Sequence, residues 1–273
     1  LEFRRVLFRS RIVFLQRSVD ITLTTLTSLP LLCVPGLMCN ADVWSPVLKH
    51  LPPTRACQVI EQGDADSLPG LAQQLLDQAP PHMLLAGHSM GARIVLEAVR
   101  LAPDRIHGMA LVDTGFLPRL QGPAGQQEAQ KRFDLLRTAR QQGIRAMAEI
   151  WVQGMVHPDR MKDGPLLASI LQMFEQKTAD DFERQIHALL NRPDATSVLQ
   201  GLKIPTALVC GEQDAWSPPA QHRAMQQHVP HSSLHLIPHA GHMAPMEQPA
   251  ALAQALLDGL LNTPLISQPN FIP

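Results

Sequence analysis

The stretch His82-Met83-Leu84-Leu85-Ala86-Gly87-His88-Ser89-Met90-Gly91 sets the reading of the rest of the chain. Its first five residues form a short apolar run of the kind a buried strand requires. From Ala92 to Leu101 the apolar residues Ile94, Val95, Ala98 and Leu101 recur at helical spacing. A serine between two glycines therefore lies at a strand-to-helix turn, which is the nucleophile-elbow pattern. Such a turn is so tight that the serine adopts a strained backbone, and a side chain at Gly87 or Gly91 would collide with the adjoining strand and helix.

The same alternation extends outward from this turn. Upstream, Leu31–Val34 and Ala56–Ile60 read as strands, with a helical stretch at Ala41–Leu51 and a helix at Ser67–Gln78 whose Leu68, Leu71, Leu75 and Leu76 share a face. Downstream, Gly108–Val112 reads as a strand closing with Asp113-Thr114-Gly115. Strands alternating with helices imply βαβ units, a mostly parallel sheet, and a site at the carboxyl ends of its strands. From 117 to 199 the alternation gives way to helices, at Gln126–Gln142, Ile144–Gln153, Leu166–Lys177 and Thr178–Leu190, the last opening on a Thr178…Asp181 capping pair. A helical insertion here is expected to lie over the sheet as a cap. Its Trp151, Val152, Met155, Met173 and Phe174 would either line a pocket or pack between helices. The sheet resumes at Thr206–Cys210, followed by a helix at Pro218–Gln227, a strand at Ser233–Ile237, the loop Pro238-His239-Ala240-Gly241-His242 and a helix from Glu247 to Leu261.

The expected organisation is thus an α/β core formed by 30–116 and 200–261, a helical cap at 117–199, and a loose tail at 262–273 that holds three prolines. Residues 1–10, LEFRRVLFRS, match the in-frame translation of a sequencing-library adapter and read as a non-native artefact, not as a basic targeting segment. Residues 11–29 read either as an edge hairpin, Ile12–Leu15 with Ile21–Leu26, or as sequence foreign to the protein.

A length of 273 residues can bury one large core. The formal net charge of -1 offers no electrostatic footprint for nucleic acid or an anionic membrane, so the expected partner is a small neutral or weakly charged molecule. No stretch approaches the ~18 consecutive apolar residues of a membrane span. Cys33, Cys39, Cys57 and Cys210 are scattered without a C-x-x-C pair, which suggests thiols in a reducing compartment, the cytoplasm, and no cysteine metal site. Tyrosine, one common oxyanion donor, is absent.

A serine hydroxyl needs a base within hydrogen-bond reach, oriented by a third group. Asp214 and His242 each follow a strand, giving the order Ser89, Asp214, His242, with room for the insertion between serine and acid. Asp113, also at a strand end, is the rival acid, and Asp214 is preferred for its Gly-Glu-x-Asp loop. His239 is the rival base, and His242 is preferred because it directly precedes the final helix. His88 reads as a packing residue. Two backbone N–H groups are expected to form an oxyanion hole, that of Met90 and that of Leu37, which follows Pro35-Gly36. His228, His231, His235, His239 and His242 recur at steps of three and four, but Pro230 and Pro238 prevent the continuous helix that would gather them around a metal.

From Leu31 to Leu261 these residues resemble the α/β-hydrolase superfamily, in particular its small capped esterase-like members near pimeloyl-ACP methyl ester esterase and 3-oxoadipate enol-lactonase. Pro35-Gly36-Leu37 with Trp44, the elbow Gly87–Gly91, Leu111–Thr114, Gly211–Asp214, and Gly241-His242 with Glu247-Gln248-Pro249 carry the resemblance. Many members have His-Gly where this chain has Pro35-Gly36. The resemblance implies a cofactor-free and metal-free serine esterase or lactonase with Ser89, Asp214 and His242 as its triad. Two other activities use the same fold: a lyase like the synthase of menaquinone biosynthesis, in which the histidine abstracts a proton without an acyl-enzyme, and a non-catalytic ligand receptor. Oligomeric state and substrate identity are not encoded in any of these motifs.

Overall fold

The computed structural model describes residue 26 and residues 28–261, so the readings for 1–10, for most of 11–29, and for the tail lie outside the described residues. Six strands form one sheet: β1 (Leu31–Val34), β2 (Cys57–Val59), β3 (Met83–His88), β4 (Ile106–Val112), β5 (Thr206–Gly211) and β6 (Ser233–Ile237). They lie in the order β2-β1-β3-β4-β5-β6, and all neighbouring pairs are parallel. Parallel strands covered on both faces need continuous apolar runs. β1, β3 and β5 are accordingly buried along their whole length, whereas the edge strand β6 is mostly half-buried.

Between the strands lie α1 (Ser45–Leu48), α2 (Leu68–Gln78) and α3 (Met90–Leu101). The Ser67 hydroxyl caps α2 by accepting from the Gly70 amide at 3.3 Å, and the predicted leucine face (Leu68, Leu71, Leu75, Leu76) is buried. The stretch expected as one helix from Ala41 divides into a 3-10 turn, Ala41–Val43, and the four-residue α1. The Asn40 side chain caps the turn, and Pro46, which has no N–H to donate, starts α1 afresh.

Among the described residues no strand interrupts the segment between β4 and β5. It contains α4 (Gly122–Gln142), α5 (Ile144–Trp151), α6 (Gly164–Glu175), α7 (Ala179–Leu190) and α8 (Thr196–Gly201), the last unforeseen from periodicity because it spans less than two turns. The capping pair forms as read: the Asp181 amide donates to Thr178 Oγ1 at 3.1 Å, and the Thr178 amide donates to the Asp181 carboxylate at 2.9 Å. After β5 come α9 (Pro219–His228), and after β6 come α10 (Ala244–Glu247) and α11 (Pro249–Leu261). The final helix, expected from about Glu247, thus begins at Pro249, because the residue before a proline, Gln248, is disfavoured in helical geometry.

The chain runs outward from β1 to β2 and then returns to the other side of β1 as β3. Loops leaving β1 and β3 diverge there, which opens a crevice at the carboxyl edge of the sheet. In register, Val34 lies opposite Gly87, so Pro35-Gly36-Leu37 runs beside His88-Ser89-Met90. A Cβ placed on Gly36 would come within 3.2 Å of the Ser89 Cβ. At Gly87 an added Cβ would overlap the Ala92 backbone, and at Gly91 it would overlap the carbonyl oxygens of Val34 and Pro35.

Backbone atoms cannot move aside as a flexible side chain can. Gly91→Ala is therefore expected to destabilise the protein by about 3 kcal/mol. Gly201→Ala, where a new methyl meets nothing within 4 Å, should be neutral or stabilising by about 0.5 kcal/mol. Urea unfolding of the two variants provides the comparison.

Candidate active site

Ser89 leaves β3 with φ 54° and ψ -115°, a conformation rare for any residue with a side chain, and α3 begins at the next residue. The surroundings hold it there. Its amide donates to Val112 O at 2.8 Å, and its carbonyl accepts from Thr114 Oγ1 at 2.9 Å, so both of its backbone polar groups are tied to the end of β4.

The structure brings the predicted Ser89, Asp214 and His242 together. His242 Nε2 lies 2.8 Å from Ser89 Oγ, and His242 Nδ1 lies 2.9 Å from Asp214 Oδ2. Asp214 is buried, and its other oxygen accepts from the amides of Trp216 and Ser217 at 2.8 and 2.9 Å. Burial alone would raise its pKa, but attraction to His242 and these hydrogen bonds outweigh it and bring the carboxyl down to about 2. An ionised carboxylate can only accept, so Nδ1 of His242 donates to it. Nε2 is then left as the acceptor of the Ser89 hydroxyl proton.

The rivals are placed elsewhere. Asp113 is buried at the end of β4, with Oδ1 accepting from the Gly211 amide at 2.8 Å and Oδ2 without a partner. Burial, and then the charge of Asp214, hold its carboxyl well above the usual carboxylate range, so it stays protonated beside its ionised neighbour. His239 turns away in the loop after β6 and makes a tilted ring contact with His157. His228, His231 and His235 are distributed over the end of α9, a loop and β6. Among the described residues, the three metal-type side chains close enough to share an ion are Asp113, Cys210 and Asp214, and Asp214 already accepts three hydrogen bonds.

Residues to which sequence reasoning assigned no part in the chemistry, His88 among them as a packing residue, hold this arrangement. His88 Nε2 donates to the backbone carbonyl of His242 at 2.8 Å, and burial followed by the nearby His242 brings its pKa down to about 3, so it remains neutral. Glu247 accepts from the amides of Gly241 and His157 at 2.8 and 2.7 Å, while the His242 amide donates to Met155 O at 2.8 Å. The histidine loop is thus tied to the helical insertion. On the opposite side, Gln62 donates to the carbonyls of Pro35 and Gly36, and Gln185 of α7 donates to Gln62 and accepts from the Met38 amide at 2.8 Å. Trp216 covers His242 with ring centroids 4.9 Å apart and stacks on Trp151 of the insertion at 5.5 Å. The Glu247-Gln248-Pro249 string was the available signal for Glu247, but its partner His157 lies too far along the chain for a local pattern to show.

Leu37, Ser89, Met90 and His242 line a cavity of about 960 Å³ shared with the insertion. Of the five apolar insertion residues, Trp151, Met155 and Phe174 line it, whereas Val152 and Met173 are buried in packing. Among the described residues neither the Leu37 nor the Met90 N–H donates to a protein acceptor. Met90 opens α3, where amides lack helical acceptors and the helix dipole favours negative charge.

The two buried carboxyls titrate with opposite signs. Asp214, depressed in the fold, adds stability above its ordinary value of 3.8 that is lost as pH falls through about 2. Asp113, raised in the fold, loses stability as pH climbs from 3.8 through its higher folded value. Asp214→Asn should therefore lower Tm at pH 8, while Asp113→Asn should hold or raise it at pH 8 and change it little at pH 4. Thermal melts at both pH values check the contrast.

Comparison with known proteins agrees with the fold. The chain is 26% identical over 224 residues to the pimeloyl-[acyl-carrier protein] methyl ester esterase of Nitrosomonas europaea, covering 78% of this chain and 88% of that protein. Among solved structures, a thermophilic esterase from Thermogutta terrifontis with malate bound superposes with a TM-score of 0.72 at 27% identity over 85% of this chain and 89% of that one. An enol-lactonase from Burkholderia xenovorans LB400 shares the fold, with a TM-score of 0.70 at 20% identity over 85% of this chain and 91% of its own. Residues 64–249 match the family described as alpha/beta hydrolase fold, and the chain, with its parallel six-stranded sheet and flanking helices, belongs to that family.

Proposed function

We propose that this protein is a serine hydrolase that cleaves a small carboxylic ester or lactone through an acyl-enzyme. The hydrogen-bond chain Asp214–His242–Ser89, at 2.9 and 2.8 Å and opening into a cavity, carries the reading. Its likeness to the N. europaea methyl ester esterase along most of both chains supports ester chemistry.

In this mechanism Ser89 Oγ attacks the substrate carbonyl carbon as its proton passes to His242 Nε2. Asp214 holds the imidazole in its Nδ1–H tautomer and stabilises the imidazolium that forms. The N–H groups of Met90 and Leu37 receive the developing oxyanion, each worth about 10²–10³ in rate. His242 then protonates the leaving alcohol. Water, deprotonated by the same nitrogen, releases the acid and restores Ser89. In a lactone the leaving alcohol stays attached to the acyl chain, and the product is a hydroxy acid. No step draws on a metal or an organic cofactor.

The helical insertion, residues 117–199, acts as the cap in this reading. Trp151, Met155 and Phe174 shape the side of the cavity facing Ser89 and set which acyl groups enter. All four cysteines are free thiols, three of them buried, which fits a reducing compartment such as the cytoplasm. Among the described residues no helix is long and apolar enough to cross a membrane.

A panel of p-nitrophenyl esters of increasing acyl length, run on wild type and Ser89→Ala, tests the reading. Wild type should show a length optimum, and Ser89→Ala should lose at least about 10³-fold in kcat at that optimum. Equal rates for both proteins across the panel would refute the serine mechanism.

A further inference from the structure

Beyond the reacting groups, the cavity carries charge. Its wall includes Arg93, Lys131, Arg132 and Arg192 against Glu128 and Asp134, and Asp134 is already paired with Arg137 at 2.6 Å. Glu128 is shared. Both of its oxygens accept from Arg192, at 2.6 and 2.9 Å, and Arg132 donates to one of them at 3.1 Å. A single carboxylate thus serves two guanidiniums, and a third cation, Arg93, stands beside them with no ion pair among the described residues.

Arg93 lies in the first turn of α3, four residues beyond Ser89, and both residues line the cavity. One of its N–H groups donates to Leu117 O at 3.1 Å, and Arg192 approaches the same carbonyl at 3.4 Å. A guanidinium has five N–H donors, so Arg93 keeps four without a protein acceptor among the described residues. Its other terminal nitrogen rests against Gly115, 3.1 Å from where a Cβ would stand. Gly115 follows Thr114, whose hydroxyl is bonded to the Ser89 carbonyl. The open donors therefore lie against the loop that supports the nucleophile. Burial, and next the charge of Arg192, bring the Arg93 pKa down to about 9, which still leaves it protonated at neutral pH. Crowding three guanidiniums around one carboxylate inside a cavity is unfavourable unless an anion joins them.

We infer that Arg93, with Arg132 and Arg192, forms an anion subsite that selects esters or lactones bearing a free carboxylate. The inference rests on the serine-hydrolase reading of the same cavity and adds to it a substrate class, carboxylate-bearing esters in place of simple alkyl esters. The substrate spans the cavity with its reacting carbonyl at Ser89 and its carboxylate at Arg93, where a planar guanidinium can bind both carboxylate oxygens.

The test compares esters of matched length with and without the charge. Monomethyl adipate against methyl hexanoate places the carboxylate on the acyl side, and 4-acetoxybutyrate against butyl acetate places it on the alcohol side. In wild type, kcat/KM for the charged member of at least one pair should exceed that of its neutral partner by about tenfold to a hundredfold, the scale of one charge-assisted hydrogen bond. Arg93→Gln should abolish that ratio, and Arg93→Lys should restore part of it. Adipate should also competitively inhibit methyl hexanoate hydrolysis and raise the Tm of both wild type and Ser89→Ala, whereas 1,6-hexanediol should do neither. These wild-type readings stand even if the Arg93 variants fail to fold.

Equal or lower kcat/KM for the charged ester in both pairs, with no inhibition by adipate, would overturn the anion subsite and leave the serine hydrolase standing. Adipate stabilisation without turnover of any ester would support the subsite and count against the hydrolase.

Discussion

Backbone crowding beneath Ser89 is the constraint on which the rest of the site depends. With Gly87 against the Ala92 backbone and Gly91 against the carbonyls of Val34 and Pro35, the chain can turn from β3 into α3 only by holding Ser89 at φ 54°. A strained residue of this kind costs on the order of 1–3 kcal/mol and persists only where its surroundings over-determine it. Here the β4 end supplies that determination through Val112 O and Thr114 Oγ1. The other non-glycine residues with positive φ among the described ones are Met38, Asp113 and His239, which lie in loops following β1, β4 and β6. Strain is thus collected along the carboxyl edge of the sheet, where the candidate chemistry lies.

Electrostatics divides two neighbouring carboxyls into different states. Asp214 gains a histidine and two backbone amides and is ionised, while Asp113 has one amide donor and a like charge beside it and is kept neutral. His88 likewise remains neutral, so a single ionised acid faces His242 from below. The neutral imidazole of His88 can then serve as a fixed donor to the His242 carbonyl without competing for the Ser89 proton.

The parallel sheet, the helical insertion and the positions of Ser89, Asp214 and His242 were legible in the sequence because each rests on a local pattern: an apolar run, a glycine pair, or a polar loop directly after a strand. What stayed hidden is long-range. Glu247 meets His157, Gln185 meets Met38, and Trp216 meets Trp151, none of them close in the chain. The helix break at Pro46 was legible in principle, since proline dictates it, but apolar periodicity ran straight across it. The arginines escaped notice for a related reason. A net charge of -1 averages over the molecule, and Arg93, Arg132 and Arg192 come together only when α3, α4 and the segment after α7 close on one cavity.

These features support the proposed reading, in which Ser89 accepts and then returns an acyl group. Rapid-quench intact mass spectrometry during turnover of a slowly deacylating p-nitrophenyl ester measures this directly. A transient protein species heavier by the acyl group in place of one hydrogen is expected, with the adduct on the peptide containing Ser89. Turnover without a covalent species at any quench time, or an adduct on another residue, would contradict it.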